Sequence, residues 1–531
     1  MRLLEKPRKD LYILSIMLFF IQQSMSQSTW NRYYGIPDRG EMTYSVTKTY
    51  DNGLLYGILI QGQNVNQYGT WILKTSINGT PLWSKYYIDP NFTFSANFID
   101  VNPSGDIIVT GNTCEFDPAG DPVIMRLNSC GEKIWCKYIH FPQSNFGRQV
   151  KHKPDGNYIL QTARASNTWM EEWIQLWEID TSGNYLFWKQ IIPTYNFPFI
   201  LGPSIYDLLI TEDKGYLLSG HCYFPDDTTN PQGLSTLQHL LIITDSMGNE
   251  EWVIPDTLNI NHIGSLNSSV ELNESYYMVG FTRELEPVWH PYLGRYSRAG
   301  QLLYEHSMHP DTLFTIILNL LENNNIFYQE GQCFYANDMD EFTGVFKTDT
   351  LGIIIKSMLN KNGSPGLDGF TNSIDNKYLI SGYAPYDYTS FTQLDAWAMK
   401  VNENLEYDSL YSFPFVYDSL CPFPIPTDTV DCDCDLITGY GEPVPVAERY
   451  RVEIYPNPAT EKVQIRLNDL TGQEKMELKK VILFDLFGRR VMEKDFMTET
   501  SLETGRLNAG IYLVVVEQSG EVLARGKLVV F

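Results

Sequence analysis

Apolar and polar residues alternate in short stretches along most of this chain, and the alternation repeats. Between Tyr44 and about Phe415 one unit recurs: an apolar run ending at glycine, a polar loop of variable length, an alternating stretch, a glycine turn, and a stretch opening on an aromatic. The clearest copies are "GDIIVTGNT", "GYLLSGHCY" and "KYLISGYAP", closing at Gly111, Gly220 and Gly382. Gly62, Gly280 and Gly331 hold that place in other copies, and Thr162 holds it in the third. Period-two alternation bounded by glycine turns predicts β-strands. Seven such units are counted, at a period of about 50 residues, the range of propellers and arrays.

The second half of each unit is sharper. "WILKTSINGTPLWSK" aligns with "VIMRLNSCGEKIWCK", "IQLWEIDTSGNYLFWK" and "LIITDSMGNEEW", with turns at Gly79, Gly131, Gly183, Gly248, Gly300 and Gly352. Asn128, Asp180, Asp245 and Asp349 stand three residues before their glycine, where the side chain can cap a hairpin turn while glycine takes positive φ. Trp83, Trp135 and Trp252 follow the turn by four residues. A lone hairpin cannot bury an indole, so these side chains are expected to wedge between neighbouring units. Five residues before the turn stand Lys74, Arg126, Arg295 and Lys347, interrupted by Glu178 and Ile243. The broken pattern argues against a ring of channel cations and for one outward-facing register of each strand.

Four-stranded units that need their neighbours close most naturally into a ring. The predicted fold is all-β: a lead-in over 27–43, a seven-bladed β-propeller over 44–415, a linker over 416–449, and a small antiparallel β-sandwich over 450–531. The repeats resemble the degenerate propeller units of exported bacterial proteins. They lack the paired glycines of kelch units, and their aspartates sit three residues before glycine rather than two as in sialidase Asp boxes.

At 531 residues the chain is long enough for more than one core. Aromatics at 14% with 38 Gly and 28 Pro suit turn-rich β-structure. The formal net charge of -25 disfavours attraction to nucleic acid or an anionic membrane surface. Residues 1–26 read as a secretory signal peptide: Lys6, Arg8 and Lys9 precede an apolar run from Leu11 to Ile21, and Ser24 and Ser26 place cleavage between Ser26 and Gln27. That run is too short to span a bilayer, so no transmembrane segment is expected in the mature chain.

The Pro- and Asp-rich stretch after Phe415 marks a domain boundary. Eight cysteines in an exported chain suit disulfides. Cys421 with Cys432 or Cys434 is the pairing expected, closing the last blade or the linker. Asp428, Asp431, Asp433 and Asp435 could offer oxygens to calcium, but no calcium-loop glycine spacing accompanies them, so no cofactor and no metal site are expected.

From Val452 the chain reads "VEIYPNPATEKVQIRL", "KKVILFDLFGRRVMEKDF" and "LNAGIYLVVVEQSGEVLARGKLVVF". It resembles the type A C-terminal sorting domain of the type IX secretion system of Bacteroidota. The resemblance rests on Tyr455, Pro456, Asn457 and Pro458, on Gly488 within "LFDLFGRRV", on Gly510 and Tyr512, and on Gly526 and Lys527 in the terminal "GKLVVF". It implies passage through the periplasm, presentation to an outer-membrane translocon, and removal of the domain by a surface sortase, the cargo ending in the medium or on the cell surface.

No G-x-S-x-G, H-E-x-x-H, Walker-type loop or G-x-G-x-x-G occurs, and no catalytic residue can be named. His306 and His309 read as exposed loop; Glu171 with Glu172 and Asp226 with Asp227 fall in variable loops. Two functions fit. The first is a non-catalytic surface protein whose propeller binds glycan or protein; the alternative is a secreted hydrolase, a glycosidase or peptidase, active in the propeller channel. An enzyme would bring titratable groups from several blades to one place.

Overall fold

The computed structural model describes residues 30–36, 39–61, 68–87, 94–113, 120–140, 145–165, 172–191, 201–225, 235–255, 264–272, 276–285, 288–308, 313–335, 338–361, 363–385, 394–407, 410–413, 415–422, 424–430, 434–437, 450–469, 478–484, 490–518 and 521–531. The proposed cleavage site at Ser26 and Gln27, together with Gly62, Cys432 and Gly488, lies outside them. The chain divides into two units, Met1–Ile437 and Thr438–Phe531. Among the described residues no helix is long and apolar enough to cross a membrane.

Among the described residues of the first unit, the strands from Asn31 to Val401 fall into seven antiparallel groups of four. Their innermost strands are Glu41–Lys48, Phe94–Val101, Asn145–His152, Leu201–Ile210, Gly264–Leu272, Leu313–Asn323 and Ser364–Asn372. Each lies against the innermost strand of the next sheet, and Ser364–Asn372 meets Glu41–Lys48, so the circuit closes. The arrangement is a β-propeller. The expected lead-in does not stand apart: Asn31–Tyr34 pairs with Leu394–Val401 as the outermost strand of the seventh sheet, and the first sheet already begins at Glu41.

The closing glycines have a steric cause. A Cβ on Gly111 would stand 1.6 Å from the Ser95 carbonyl oxygen, on Gly220 1.8 Å from that of Ser204, and on Gly382 1.9 Å from that of Ser364. Each inner strand bulges there and pushes its backbone at its neighbour. The hairpin turns follow the expected chemistry. Asn128, Asp180, Asp245 and Asp349 each accept two backbone N–H bonds at 2.8–2.9 Å, while Gly131, Gly183, Gly248 and Gly352 take φ between 73° and 84°.

The turn tryptophans bridge sheets as expected. Trp135 donates its indole N–H to Thr181 O at 3.0 Å, and Trp252 to Arg298 O at 2.9 Å, in both cases reaching the turn of the following sheet. Trp30 does the same from the N-terminal strand, donating to Ile77 O at 3.2 Å.

The basic positions before the turns depart from expectation. Lys74 is buried rather than outward-facing, and its ammonium lies 2.6 Å from Asp51 and 2.5 Å from Asp418. Ile243 is also buried. Arg126 bonds Asp106 at 2.8 Å, and Lys153 pairs with Glu178. In the first three sheets these ion pairs tie the third strand, which carries Lys74, Arg126 and Glu178, to the turn between the first two strands, which carries Asp51, Asp106 and Lys153. Lys400 completes the set in the seventh sheet, 2.6 Å from Asp375.

Residues 411–437 correct the expected linker. Of their described residues, Asp428–Val430 pairs parallel to Lys85–Tyr87 at the outer edge of the first sheet and Asp435–Leu436 parallel to Lys137–Tyr138 at that of the second. This course carries Cys421 and Cys434 to the second sheet, where the disulfides are Cys130–Cys421 and Cys136–Cys434. The expected pairing of Cys421 with Cys432 or Cys434 is therefore wrong. Backbone pairing to two different strands holds Cys421 and Cys434 apart and puts each beside a cysteine of the sheet edge. Asp428 bonds Lys85 at 2.6 Å and Asp435 bonds Lys137 at 2.8 Å, while Asp431 and Asp433 lie outside the described residues.

The second unit is a sandwich of a three-stranded and a four-stranded antiparallel sheet. Val463, Ile465, Leu483, Phe496, Val514, Val516 and Leu528 are among the side chains filling it. The alternation in Lys462–Asp469 and Lys479–Phe484 directs these residues inward.

Candidate functional site

Each of the first six inner strands carries a bulge at the same level. The register of the ladder shifts at Tyr44, Asn97, Arg148, Tyr206, Asn267 and Leu318. Tyr44, Asn97, Arg148, Tyr206 and Leu318 are half-buried, and for all but Tyr206 the residues on either side are buried, which fits a rim around the axis. A bulge re-aims one side chain without displacing the rest of the strand.

Beside this rim, polar side chains pass from sheet to sheet. Ser45 Oγ donates to Asp368 at 2.9 Å and accepts from Ile99 N at 3.2 Å. Asp100 accepts His152 N at 2.8 Å and meets His152 Nδ1 at 2.9 Å. Gln149 donates to Tyr206 O at 2.6 Å and accepts from Leu208 N at 2.8 Å. Asp207 accepts from Ser269 N at 2.7 Å and Ser269 Oγ at 2.8 Å. Thr282 accepts from Ile317 N at 3.0 Å, and Thr343 donates to Gly363 O at 2.8 Å, which completes the circuit. These groups satisfy backbone that the bulges leave open.

Titratable groups from four sheets meet here. Lys151 lies 4.2 Å over the ring of Phe98, and its charge acts on Asp100, Asp207 and Asp368. Burial would raise Asp100, but the His152 hydrogen bond and Lys151 outweigh it and hold it below the usual carboxylate range. In Asp207 burial wins and the pKa is raised. Burial likewise pushes Asp368 up to about 6, helped by Asp207 and Asp100 and opposed by Lys151. Asp368 in turn adds to the burial that pushes Glu330 up to about 8. Among the described residues no group of three or more His, Cys, Asp or Glu is placed to hold a metal ion.

The sequence named none of these axial residues. The signal lay in the inner strands, where the alternation slips by one residue before each closing-glycine strand. Of the histidines the sequence singled out, His306 lies within the strand Leu302–Ser307 rather than in a loop, and His309, Glu171, Asp226 and Asp227 lie outside the described residues. Glu172 opens the strand Glu172–Ile179.

In the second unit Asn457 explains part of its motif. Its amide donates to Lys527 O at 2.6 Å and its carbonyl accepts from Val529 N at 2.9 Å, which clamps the last strand, the one that carries Gly526 and Lys527. Ala459 N donates to Val529 O at 2.8 Å, and Ala459 O accepts from Phe531 N at 2.9 Å. Pro456 and Pro458 flank the clamp, while Tyr455 is 77% exposed. Tyr512 is buried and donates its hydroxyl to Asn508 O at 2.7 Å. Gly510 opens the strand Gly510–Gln518 at a point where a Cβ would meet nothing within 4 Å.

Together these features define an exported β-propeller carrying a C-terminal sorting domain. Residues 453–530 match the family described as Secretion system C-terminal sorting domain, so the chain is one secreted to the cell surface or beyond. No curated protein matches the chain. Among solved structures it is similar to the polysaccharide lyase Uly1 at 9% identity, covering 69% of this chain and 91% of that one with a TM-score of 0.44. The β-propeller domain of the Trilobed protease from Pyrococcus furiosus matches at 11% identity, covering 67% and 93% with a TM-score of 0.39. The Penicillium chrysogenum alpha-L-arabinanase matches at 11% identity, covering 59% and 94% with a TM-score of 0.37.

Proposed function

We propose that this protein is a non-catalytic, seven-bladed propeller that binds glycan or protein on its axial rim. Its sorting domain is presented to a type IX translocon and then removed by a surface sortase. The observation that carries the binding reading is the rim of half-buried bulge residues Tyr44, Asn97, Arg148, Tyr206 and Leu318, of mixed aromatic, polar and charged character. Asp100 and Asp207 bond the backbone N–H groups of His152 and Ser269, which assigns those oxygens to holding sheets together. Screening the mature protein on glycan and peptide arrays, with Tyr44→Ala and Asn97→Ala beside it, tests this: loss of a hit in the variants supports the rim. Deleting Val452–Phe531 and assaying cell fractions tests the export half, and undiminished arrival at the surface would reject it.

One observation favours the hydrolase alternative. Asp207 and Asp368, both with raised pKa, converge with Lys151 from different sheets, as acid and base groups must. Product formation from an array hit that disappears in Asp368→Asn would move the protein to that class.

A further inference from the structure

We infer that the outer strand of the sixth sheet, Ile354–Asn360, pairs with the same strand of a second copy of this chain, joining two propellers edge to edge. The inference is independent of the axial rim. An outer strand has one side of its backbone paired and the other open, and an open edge invites a further strand. This chain fills two such edges itself, laying Asp428–Val430 on the first sheet and Asp435–Leu436 on the second. Among the described residues no strand pairs with the outer side of Ile354–Asn360.

That edge is markedly apolar. Ile355 and Leu359 on the strand, Ile353 just before it and Leu351 in its turn are between 40% and 54% exposed. The outer strands of the third and fifth sheets, Tyr185–Ile191 and Leu302–Ser307, expose one large aliphatic each, Leu186 and Leu303. That of the fourth, Glu250–Pro255, opens on two glutamates, and Asn31–Tyr34 on the seventh carries Arg32. Charge is a usual guard of an open edge. On Ile354–Asn360 the one charge is Lys356, and Glu406 holds its ammonium at 3.1 Å.

The order of residues along the strand selects the occupant. Ile355, Ser357 and Leu359 form one exposed row, since residues two apart share a face. An antiparallel copy turned about a two-fold axis at Ser357 sets Ile355 opposite the second copy's Leu359, and Leu359 opposite its Ile355. Lys356 then falls opposite Met358 rather than its own twin, so like charges do not meet directly across the pair. The same axis reverses the two Lys356–Glu406 pairs against each other, plus toward minus. The net charge of -25 would draw a cationic partner, but Ile354–Asn360 carries no carboxylate for one to bind. Two-fold pairing consumes both edges, so assembly stops at two.

The test is sedimentation velocity of the mature protein over about a hundredfold range of concentration, since mass action shifts the balance of monomer and dimer. Monomers are expected to convert to dimers, with no larger species. Ile355→Lys and Leu359→Glu should each weaken the dimer about tenfold or more. Combining them should restore it, because each new lysine then faces a new glutamate. Ser357→Cys should give a covalent dimer under mild oxidation, its two thiols meeting at the axis, and Gln190→Cys on the third sheet should not. Thermal unfolding confirms that every variant folds. A protein monomeric throughout, dimers indifferent to the single substitutions, a double variant no better than the singles, equal cross-linking through Gln190→Cys, or growth beyond the dimer would each overturn the inference. A monomer whose edge instead takes up an added extended apolar peptide gives the edge to a foreign strand and overturns it too.

Discussion

Asp418 receives the indole N–H of Trp83 at 3.1 Å and the ammonium of Lys74 at 2.5 Å. The equivalent tryptophans bond the turn of the next sheet, so here the segment after the propeller has taken over a contact that elsewhere joins two sheets. Lys74 and Asp51 have side chains only 1% and 4% exposed. Lys74→Met would strand Asp51 and Asp418 and should destabilise the first unit by about 3–5 kcal/mol. Asp418→Asn keeps the hydrogen bonds and should cost less than half of that. Urea unfolding followed by tryptophan fluorescence compares the two.

The disulfides close loops between cysteines separated by 291 and 298 residues. Removing either, as Cys421→Ser or Cys434→Ser, should lower stability by about 2–4 kcal/mol. Peptide mapping without reduction should recover Cys130 linked to Cys421 and Cys136 linked to Cys434; any link between Cys421 and Cys434 would contradict the course of the segment.

Glu330 should make stability fall with pH. Its pKa is raised to about 8 by burial, eased by the Asn319 amide and worsened by Asp368. Between the unfolded value of 4.5 and about 8 the folded state holds a proton that the unfolded state has lost. The contribution is thus full below pH 4.5 and declines by up to about 1.4 kcal/mol per pH unit. Glu330→Gln should flatten the decline, measured as the urea midpoint from pH 5 to 8. An equal slope in both proteins would refute the assignment.

Two glycines separate packing from recognition. Gly111→Ala drives a Cβ onto the Ser95 carbonyl and should cost more than about 3 kcal/mol or prevent folding. Gly510→Ala meets open space and should change the stability of the sorting unit by less than about 0.5 kcal/mol. If export of Gly510→Ala nevertheless falls, that glycine is read by the secretion machinery.

Asn457→Ala should release the last strand from its side-chain clamp and lower the stability of the sorting unit by about 1–3 kcal/mol, since the Val529 N–H loses its acceptor. Amide exchange at Val529 should accelerate before global unfolding does.

The turns and the sorting motif were legible because their causes are local. An Asp or Asn three residues before a glycine defines its own hairpin, and Asn457 sits in a short motif. The seventh sheet hid its turn because Leu405, not glycine, takes the positive φ of 55°. Its outer strand comes from Asn31–Tyr34, which alternation alone cannot assign to a sheet completed at Val401. The Cys130–Cys421 and Cys136–Cys434 pairs depend on where a Pro-rich segment is laid, and Arg148 owes its position to one inserted residue, a single slip in the alternation of a short strand.

Asn31–Tyr34, the first strand to leave the ribosome, has no neighbour until Leu394–Val401 exists. A nascent chain therefore carries an open edge until the seventh sheet has been made. Fastening of the ring consequently waits on the two paired strands that lie furthest apart in the sequence of the first unit.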